Sequence, residues 1–339
     1  MKALTDPRGA TIYEVAERAD VSIATVSRVL RGTAPVAEPT RSRVLDAMES
    51  LNFTPSRLGR SLAERRHGAN GIVFPDLSGP YFAEVVLGYE EVAAEVGRSV
   101  LILSTHGRRA AREMVLDLAA RVDGIVVLGR TVDDDVIADL VGKALPVVVI
   151  AREAVDGVDS VNAENATSAA ALGDHLAGHG YRDIAFLGDA TSSTDTMQRW
   201  TGLQRALMAC GIKPTPPVSC SFDEHGGRVA ATALLKARPP EALVCANDEI
   251  ALGAITAAET LGLRVPDDLA VTGWDDVMAA RHSRPGLTTV SQPMRQLGAW
   301  AARRLHERLG GDTSSPRHEV LPTQLVVRSS CGHHNKEDR

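Results

Sequence analysis

Within residues 11–30, TIYEVAERADVSIATVSRVL, several hydrogen-bonding side chains flank a short turn. Arg28 carries a planar guanidinium whose fork fits the O6 and N7 acceptors of a guanine, a contact worth ~1–3 kcal/mol of base discrimination. Thr25 and Ser27 carry hydroxyls that can donate to phosphate oxygens, and the backbone N–H groups of a helix start add further donors. Elsewhere, Arg199 in QRWTGLQRAL and Asp275 in VTGWDD each set a charge beside an apolar stretch. Open α/β sheets place ligands at such strand ends. Asp276, next to Asp275, reads equally well as a cap or a solvated carboxylate. Catalytic patterns are missing: there is no G-x-S-x-G elbow, phosphate loop, H-E-x-x-H, or G-x-G-x-x-G after a strand. The expectation is a chain that is not an enzyme.

The elements that must position these groups fall into two kinds. Thr11 and Glu14 form a capping box for a first helix with Ile12, Val15, Ala16 and Ala19 on one face. Ala19-Asp20-Val21 is a tight connection. Ser22 and Thr25 then open a second helix with Val26, Val29 and Leu30 inward, leaving Ile23, Ala24, Ser27 and Arg28 exposed. Two short helices on such a turn make a helix-turn-helix, in which the start of the second helix faces base edges in a major groove. From Gly71 onward, aliphatic runs alternate with amphipathic stretches. Strands are expected at Ile72–Pro75, Val100–Ser104, Gly124–Leu128, Val147–Ile150, Ile184–Gly188, Leu243–Ala246 and Ala270–Gly273. Helices are expected at Tyr81–Val96, Ala111–Ala120, Ala166–His179, Trp200–Ala209 and Glu249–Leu261. That alternation predicts right-handed β-α-β units and doubly wound parallel sheets, with ligand loops such as Pro75–Pro80 and Gly188–Arg199.

At 339 residues the chain is long enough for two or three folding units. Its net charge of −6 speaks against nucleic acid until it is divided: residues 1–68 hold 11 Lys and Arg against 8 Asp and Glu, and the remainder carries the acidic excess. A basic head on an acidic body suits a protein that meets phosphate at one end only. The four cysteines, Cys210, Cys220, Cys245 and Cys331, are far apart and read as buried thiols of a reducing compartment. Cys331 with His333 and His334 lacks a fourth metal ligand at sensible spacing, so no metal is expected. No apolar run nears the roughly 20 residues of a membrane span, and the N-terminus lacks a signal pattern. The expected location is cytoplasmic, with no membrane partner.

The run Val21-Ser22-Ile23-Ala24-Thr25-Val26-Ser27-Arg28-Val29-Leu30, followed by Thr40-Arg41-Ser42-Arg43-Val44 in a third helix, Thr40–Leu51, and by Asn52-Phe53-Thr54-Pro55, resembles the LacI family of transcription regulators. The resemblance covers nearly all of residues 11–331. It implies an α/β fold with a three-helix head, a hinge helix, and a two-subdomain doubly wound core similar to periplasmic sugar-binding proteins. The boundaries expected are a head at 1–54, a hinge at 55–68, a ligand-binding and dimerisation core at 69–331, and a polar tail at 332–339. Within the core, one subdomain takes about 69–164 and 295–321, the other about 165–294 and 322–331.

The resemblance also implies residue roles. In the hinge, Ser56 can cap, Arg57 and Arg60 can meet phosphates, and Leu62 matches a wedge levered into a minor-groove base step. Gly59 departs from the family's alanine and costs up to ~1 kcal/mol of helix stability. In the cleft, Arg199 matches a ligand-clamping arginine, Phe222 a packing aromatic, Asn247, Asp248 and Asp275 polar contacts, and Gln292 closes the set at a crossover. Asp76, Ser78, Tyr81 and Phe82 follow the first strand. Asp248 reads equally as the cap of a helix starting at Glu249, and Phe222 and Tyr81 as core packing. Ala151-Arg152 stands where the family has Asp-Arg; Arg152 stays available, and together with Arg130 and Arg199 it favours an anionic or phosphorylated sugar.

The implied function is a sequence-specific repressor that binds a pseudo-palindromic operator in double-stranded DNA as a homodimer, with affinity set by a small carbohydrate-type effector and no cofactor. A transport binding protein is the rival reading; it would need a signal peptide and no helix-turn-helix. The tail SSCGHHNKEDR has no leucine heptads, so no tetramer is expected.

Overall fold

The computed structural model describes residues 10–31, 34–53, 67–105, 108–191 and 193–332. The chain divides into two compact units between His67 and Gly68. The hinge residues Ser56, Arg57, Gly59, Arg60 and Leu62 lie outside the described residues, as do His333 and His334.

The first unit is built from α1 (Ile12–Arg18), α2 (Ile23–Arg31) and α3 (Glu38–Ser50). The capping box forms as expected: Thr11 Oγ1 accepts from Glu14 N, and Glu14 Oε2 accepts from Thr11 N at 2.6 Å. Asp20 turns the chain between α1 and α2 with φ 51°, a left-handed conformation that aspartate tolerates. Ser22 Oγ accepts from Thr25 N at 3.2 Å and satisfies an orphan donor at the start of α2. Val15, Ala16, Ala19, Val26, Val29, Val44 and Ala47 form a small aliphatic core that fixes the three axes. The third helix starts at Glu38, two residues before the expected Thr40, because Pro39 suits the first helical turn.

The second unit contains, among the described residues, a six-stranded parallel sheet in the order β10-β5-β4-β3-β1-β2. Its strands are β1 (Ala69–Phe74), β2 (Ser99–Ser104), β3 (Gly124–Leu128), β4 (Val147–Ile150), β5 (Asp159–Ala163) and β10 (His318–Leu321). Apolar residues of β1, β3 and β4 pack on both faces. One face meets α4 (Pro80–Glu95) and α12 (Met294–Leu309), the other α5 (Ala111–Ala119) and α6 (Asp134–Gly142). Helices α4 and α12 approach so closely that a Cβ on Gly88 would lie 2.0 Å from the Arg295 carbonyl, and one on Gly298 2.0 Å from that of Val85.

A three-stranded parallel sheet, β6-β7-β8 (Ile184–Leu187, Ala242–Cys245, Ala270–Thr272), forms the other half. It packs against α7 (Ala166–Gly178), α8 (Thr194–Ala209), α9 (Glu224–Ala237) and α10 (Asp248–Thr260). The short α11 (Met278–His282) follows β8. The chain passes between the halves after β5, after β9 (Thr289–Ser291) and between β10 and β11 (Gln324–Val326); β9 and β11 pair antiparallel.

Strand β5 and helix α8 also depart from expectation. Strand β5 was not anticipated because Asp159, Ser160 and Asn162 interrupt its apolar character. Burial is possible because each is bonded: Asp159 to Arg304 and Arg308 at 2.8 and 2.7 Å, Ser160 to His318, and Asn162 to the Arg152 N–H. Helix α8 begins at Thr194 rather than Trp200, because Ser193 caps it by accepting from Thr196 N.

Candidate functional site

In the head, Val26 and Val29 draw one face of α2 into the core, and the opposite face is left to solvent. Ile23 is 40% exposed, Ala24 and Arg28 are exposed, and Thr11 is exposed at the start of α1. Ser27 is half-buried, and Thr25 is half-buried with its hydroxyl 3.0 Å from Ser22 Oγ. Thr25 therefore secures the start of the helix as well as lying at its edge. Tyr13, 69% exposed on α1, was not singled out in the sequence. Its signal was its position between Ile12 and Glu14, off the apolar face. The arrangement offers a short exposed ridge with one guanidinium and small neighbours, a shape that suits a groove floor.

In the second unit, the loops after β1, β6, β7 and β8 meet. Arg199, on α8, is buried and spans them: its Nε donates to Asn165 Oδ1 at 2.8 Å and a terminal nitrogen to the Ala246 carbonyl at 2.8 Å. Its other terminal nitrogen lies 4.0 Å from Asp195 Oδ2, and its guanidinium stacks 4.6 Å above the Trp274 ring. Asp275 leaves β8 with φ 114°, a strained conformation of the kind concentrated at functional sites. Asp275 Oδ1 accepts from Gln292 Nε2 at 2.5 Å. Burial holds the Asp275 carboxyl at about 7, against the pull of Arg199 and Gln292. Burial likewise raises Asp195, again opposed by Arg199.

Tyr81 comes to this cluster from the other half of the core. Burial, then the charges of Asp195 and Asp275, push its phenol well above the usual range. Its hydroxyl is buried with no hydrogen-bond partner, and so is Gln292 Oε1. The same loop brings Asp76 toward Glu249, whose carboxyl is raised by burial, by Asp223 and by Asp76. Gly79 sits so close that an added Cβ would be 2.4 Å from Glu249 Oε2. A cavity of about 760 Å³ is lined by Arg130 and Glu153 from one half and by Asp189, Thr191, Thr194 and Met197 from the other; Tyr81, Arg199, Asp275 and Gln292 do not line it.

Tyr81, Arg199, Asp275 and Gln292 thus converge, while other expected residues are used differently. Asn247 caps α10 by accepting from Ile250 N at 2.9 Å, and its amide donates to the Phe222 carbonyl. Asp248 is fully buried, accepting from Val277 N and Thr289 Oγ1; burial and Asp275 raise its carboxyl. The cap is therefore Asn247 and not Asp248, and Asp248 ties α10 to the loop after β8. Phe82 packs edge-on against Phe74 and Tyr81. Asp76 closes a local turn with Ser78, accepting from its N–H and hydroxyl. Phe222 is half-buried against the core.

Arg152 is a correction. It is 4% exposed, donates to the Gly129 and Val132 carbonyls and pairs with Asp134, so its guanidinium is not available to a ligand. Arg130 pairs with Glu153. The expected trio of Arg130, Arg152 and Arg199 does not assemble, because Arg152 is buried against Gly129, Val132 and Asp134, while Arg130, paired with Glu153, stays more than half exposed. Asp195, Asn165, Trp274 and Glu249 were missed. Only Asp195 carried a sequence signal, standing four residues before Arg199 on one helix face.

Comparison with known proteins decides the class. The pattern of "Bacterial regulatory proteins, lacI family" matches residues 11–56, and that of "Periplasmic binding protein-like domain" matches residues 173–331. The HTH-type transcriptional regulator DegA of Bacillus subtilis (strain 168) is 31% identical, with 94% of this chain and 97% of DegA aligned. The chain belongs to the lacI family of bacterial regulatory proteins. Another lacI-type relative, the HTH-type transcriptional repressor PurR of Mannheimia succiniciproducens, is 33% identical over 95% of this chain and 98% of its own. The lac repressor dimer bound to operator and the anti-inducer ONPF superposes with a TM-score of 0.86 at 28% identity, covering 96% of this chain and all of that one. A CelR–cellobiose complex superposes with a TM-score of 0.71 at 28% identity, over 95% of this chain and 99% of its own. Among the described residues, no helix is long and apolar enough to cross a membrane.

Proposed function

We propose that this lacI-family chain is a cytoplasmic repressor of transcription and not an enzyme. It holds a pseudo-palindromic operator as a homodimer, and a small carbohydrate-type effector in the core cleft sets its affinity for that DNA. The observation that carries the reading is the joining, in one chain, of a capped recognition helix with an exposed Arg28 to a core whose two halves meet at Tyr81, Arg199 and Asp275. Ile23, Ala24 and Arg28 face base edges; Thr11, Thr25 and Ser27 serve the phosphates. Ser56, Arg57, Arg60 and Leu62 form the hinge. The cleft residues Asp76, Ser78, Tyr81, Phe82, Arg199, Phe222, Asp275 and Gln292 surround the effector, with Asn247 and Asp248 holding the wall behind them. The core halves are those at about 69–164 with 295–321 and 165–294 with 322–331.

The coupling is a population shift. An effector that contacts both halves favours one relative placement of them, and changes operator affinity only by as much as it prefers that placement. Gel-shift titration on promoter fragments, with and without sugars, tests the whole reading. Binding should be confined to particular fragments, fall steeply with salt as counterions are released, and change with effector. Sequence-independent binding that no sugar alters would remove it.

A further inference from the structure

A second group of side chains able to hold a ligand lies outside the cleft, where the strands of the three-stranded sheet begin. His175 and His179 stand four residues apart at the close of α7, which puts both imidazoles on one helix face. Their ring centroids are 4.8 Å apart, and the rings meet edge to face. Cys331 is buried and reaches the same corner from the far end of the chain: its Sγ lies 3.4 Å from His175 Nε2. Gly332 follows against the second imidazole, where an added Cβ would be 3.4 Å from His179 Nδ1. Tyr181, just before β6, fixes this segment by donating its hydroxyl to the Cys331 carbonyl at 3.2 Å.

The spacing is that of metal ligands. With Zn–S of about 2.3 Å and Zn–N of about 2.0 Å, two corners of a tetrahedron lie ~3.5 Å apart, which is the separation of His175 Nε2 and Cys331 Sγ. The sulfur also has a donor at hand. Thr288 Oγ1 accepts from the Arg328 N–H at 2.9 Å and lies 3.0 Å from Cys331 Sγ, so its own proton can be given to the sulfur. A hydroxyl placed in this way steadies a metal-bound thiolate from behind. The carboxyl end of α7 carries partial negative charge, which favours a cation beside its last turn. A thiol–imidazole hydrogen bond alone would account for His175, but not for His179 beside it. Among the described residues no three His, Cys, Asp or Glu side chains form a closed metal site. The chain itself supplies more ligands: His333 and His334 come two and three residues after Cys331, so their Cα atoms cannot lie more than ~7 and ~11 Å from its own.

We propose that His175, His179 and Cys331, joined by His333 or His334, form a site for one divalent transition-metal ion of the zinc class. A thiolate with imidazoles selects zinc over magnesium and calcium, which take oxygen ligands. Bound there, the ion ties the end of the chain to α7 and, through Thr288, to β9, after which the chain crosses between the halves. It acts as a clamp on the core and not as an effector: the site stands where β6 and β8 begin, whereas Arg199 and Asp275 follow the ends of those strands. The sequence alone offers Cys331, His333 and His334 without a fourth ligand; the fold brings His175 and His179 to Cys331.

The test uses the full chain without an affinity tag, stripped of metal with a chelator and titrated with zinc and with cobalt(II). One zinc should bind per chain with a Kd of about 1 μM or tighter. Zinc at about a hundredfold over Kd should raise the melting temperature of the core by roughly 5 °C. Cobalt should show the near-ultraviolet charge-transfer band of a bound thiolate and the strong visible bands of a tetrahedral site. Cys331→Ser should abolish the charge-transfer band. His175→Ala, His179→Ala and the double variant His333→Ala/His334→Ala should each weaken zinc by about tenfold or more. The double variant leaves the contacts of His175, His179 and Cys331 with one another in place, so its loss of zinc reports ligation and not folding. No binding at about 100 μM zinc, a cobalt complex without the thiolate band, or affinity unchanged in any of these histidine variants overturns the site.

Discussion

The head and the cleft do opposite things with their functional side chains. On α2, Ile23, Ala24 and Arg28 are exposed within one short stretch, and a core of small aliphatic residues holds the ridge. In the cleft, the candidate groups are buried, come from segments spread between Tyr81 and Gln292, and hydrogen-bond one another: Arg199 to Asn165, Asp275 to Gln292. A head residue can be exchanged at little cost to folding. A cleft residue is also part of the structure, so its loss changes binding and stability together. The comparison sharpens if substitutions in the second unit show both effects and those on α2 only one.

The largest effect is expected away from both sites, at the ion cluster that joins α12 to β5. Arg304 and Asp159 are each 2% exposed, and Asp159 also accepts from Arg308 and the Arg317 N–H. Removing Arg304 takes a partner from Asp159, Glu307 and Asp312 at once and leaves Arg308 as the one arginine on Asp159, a loss of about 3 kcal/mol. Arg304→Ala should therefore lower the melting temperature of the core by roughly 10 °C. A change within the error of calorimetric melting would show that solvent already reaches the cluster. Next in size, Arg199→Ala should weaken effector binding on the order of a hundredfold and also lower stability, since Asn165 and the Ala246 carbonyl lose their donor. Operator affinity without effector should be unchanged in gel shift.

The cleft should also show itself in pH dependence. Asp275, held at about 7, keeps in the folded chain a proton that the unfolded chain releases near pH 4. The folded state then binds more protons, so this group's stabilising contribution is complete below about pH 4 and is lost as pH rises towards 7. Asp275→Asn removes that loss. The variant's melting temperature relative to wild type should climb between pH 4 and 7, and an equal offset at both ends would contradict the burial of this carboxyl.

The same contrast explains what could be read in advance. The head was legible because caps, turn and apolar face occupy one uninterrupted stretch, and local hydrogen bonds decide them. Strands β3 and β4 were legible as pure aliphatic runs with matching ends. Strand β5 was not, because Asp159 is satisfied by Arg304, 145 residues away, and Asn162 by a backbone N–H, that of Arg152, neither of which a local pattern reveals. Arg152 illustrates the point in the cleft. Its type suggested ligand binding, but the carbonyls of Gly129 and Val132 take its guanidinium, and backbone carbonyls carry no sequence signature. The spacing of Asp195 and Arg199 puts them on one helix face only because α8 starts at Thr194 rather than near Trp200.

On α2 the effects should be smaller and cleanly separable. Arg28→Ala should cost ~1–3 kcal/mol at the cognate operator and relax selectivity at one base position. The salt dependence of binding should hardly move, since a base contact releases no counterion. A shallower salt slope with unchanged selectivity would reassign Arg28 to phosphate. Smallest of all is Ser22→Ala, which removes the acceptor of Thr25 N and costs about 1 kcal/mol of head stability. Thr25 makes this variant informative. Its hydroxyl is paired with Ser22 Oγ, so Ser22→Ala frees it for a phosphate while loosening the first turn that carries Ile23 and Ala24. If the cap matters mainly for order, operator affinity should fall in step with the loss of stability. If Thr25 gains a phosphate contact, affinity should hold or rise at low salt while the melting temperature of the head falls, and that divergence would separate its two roles.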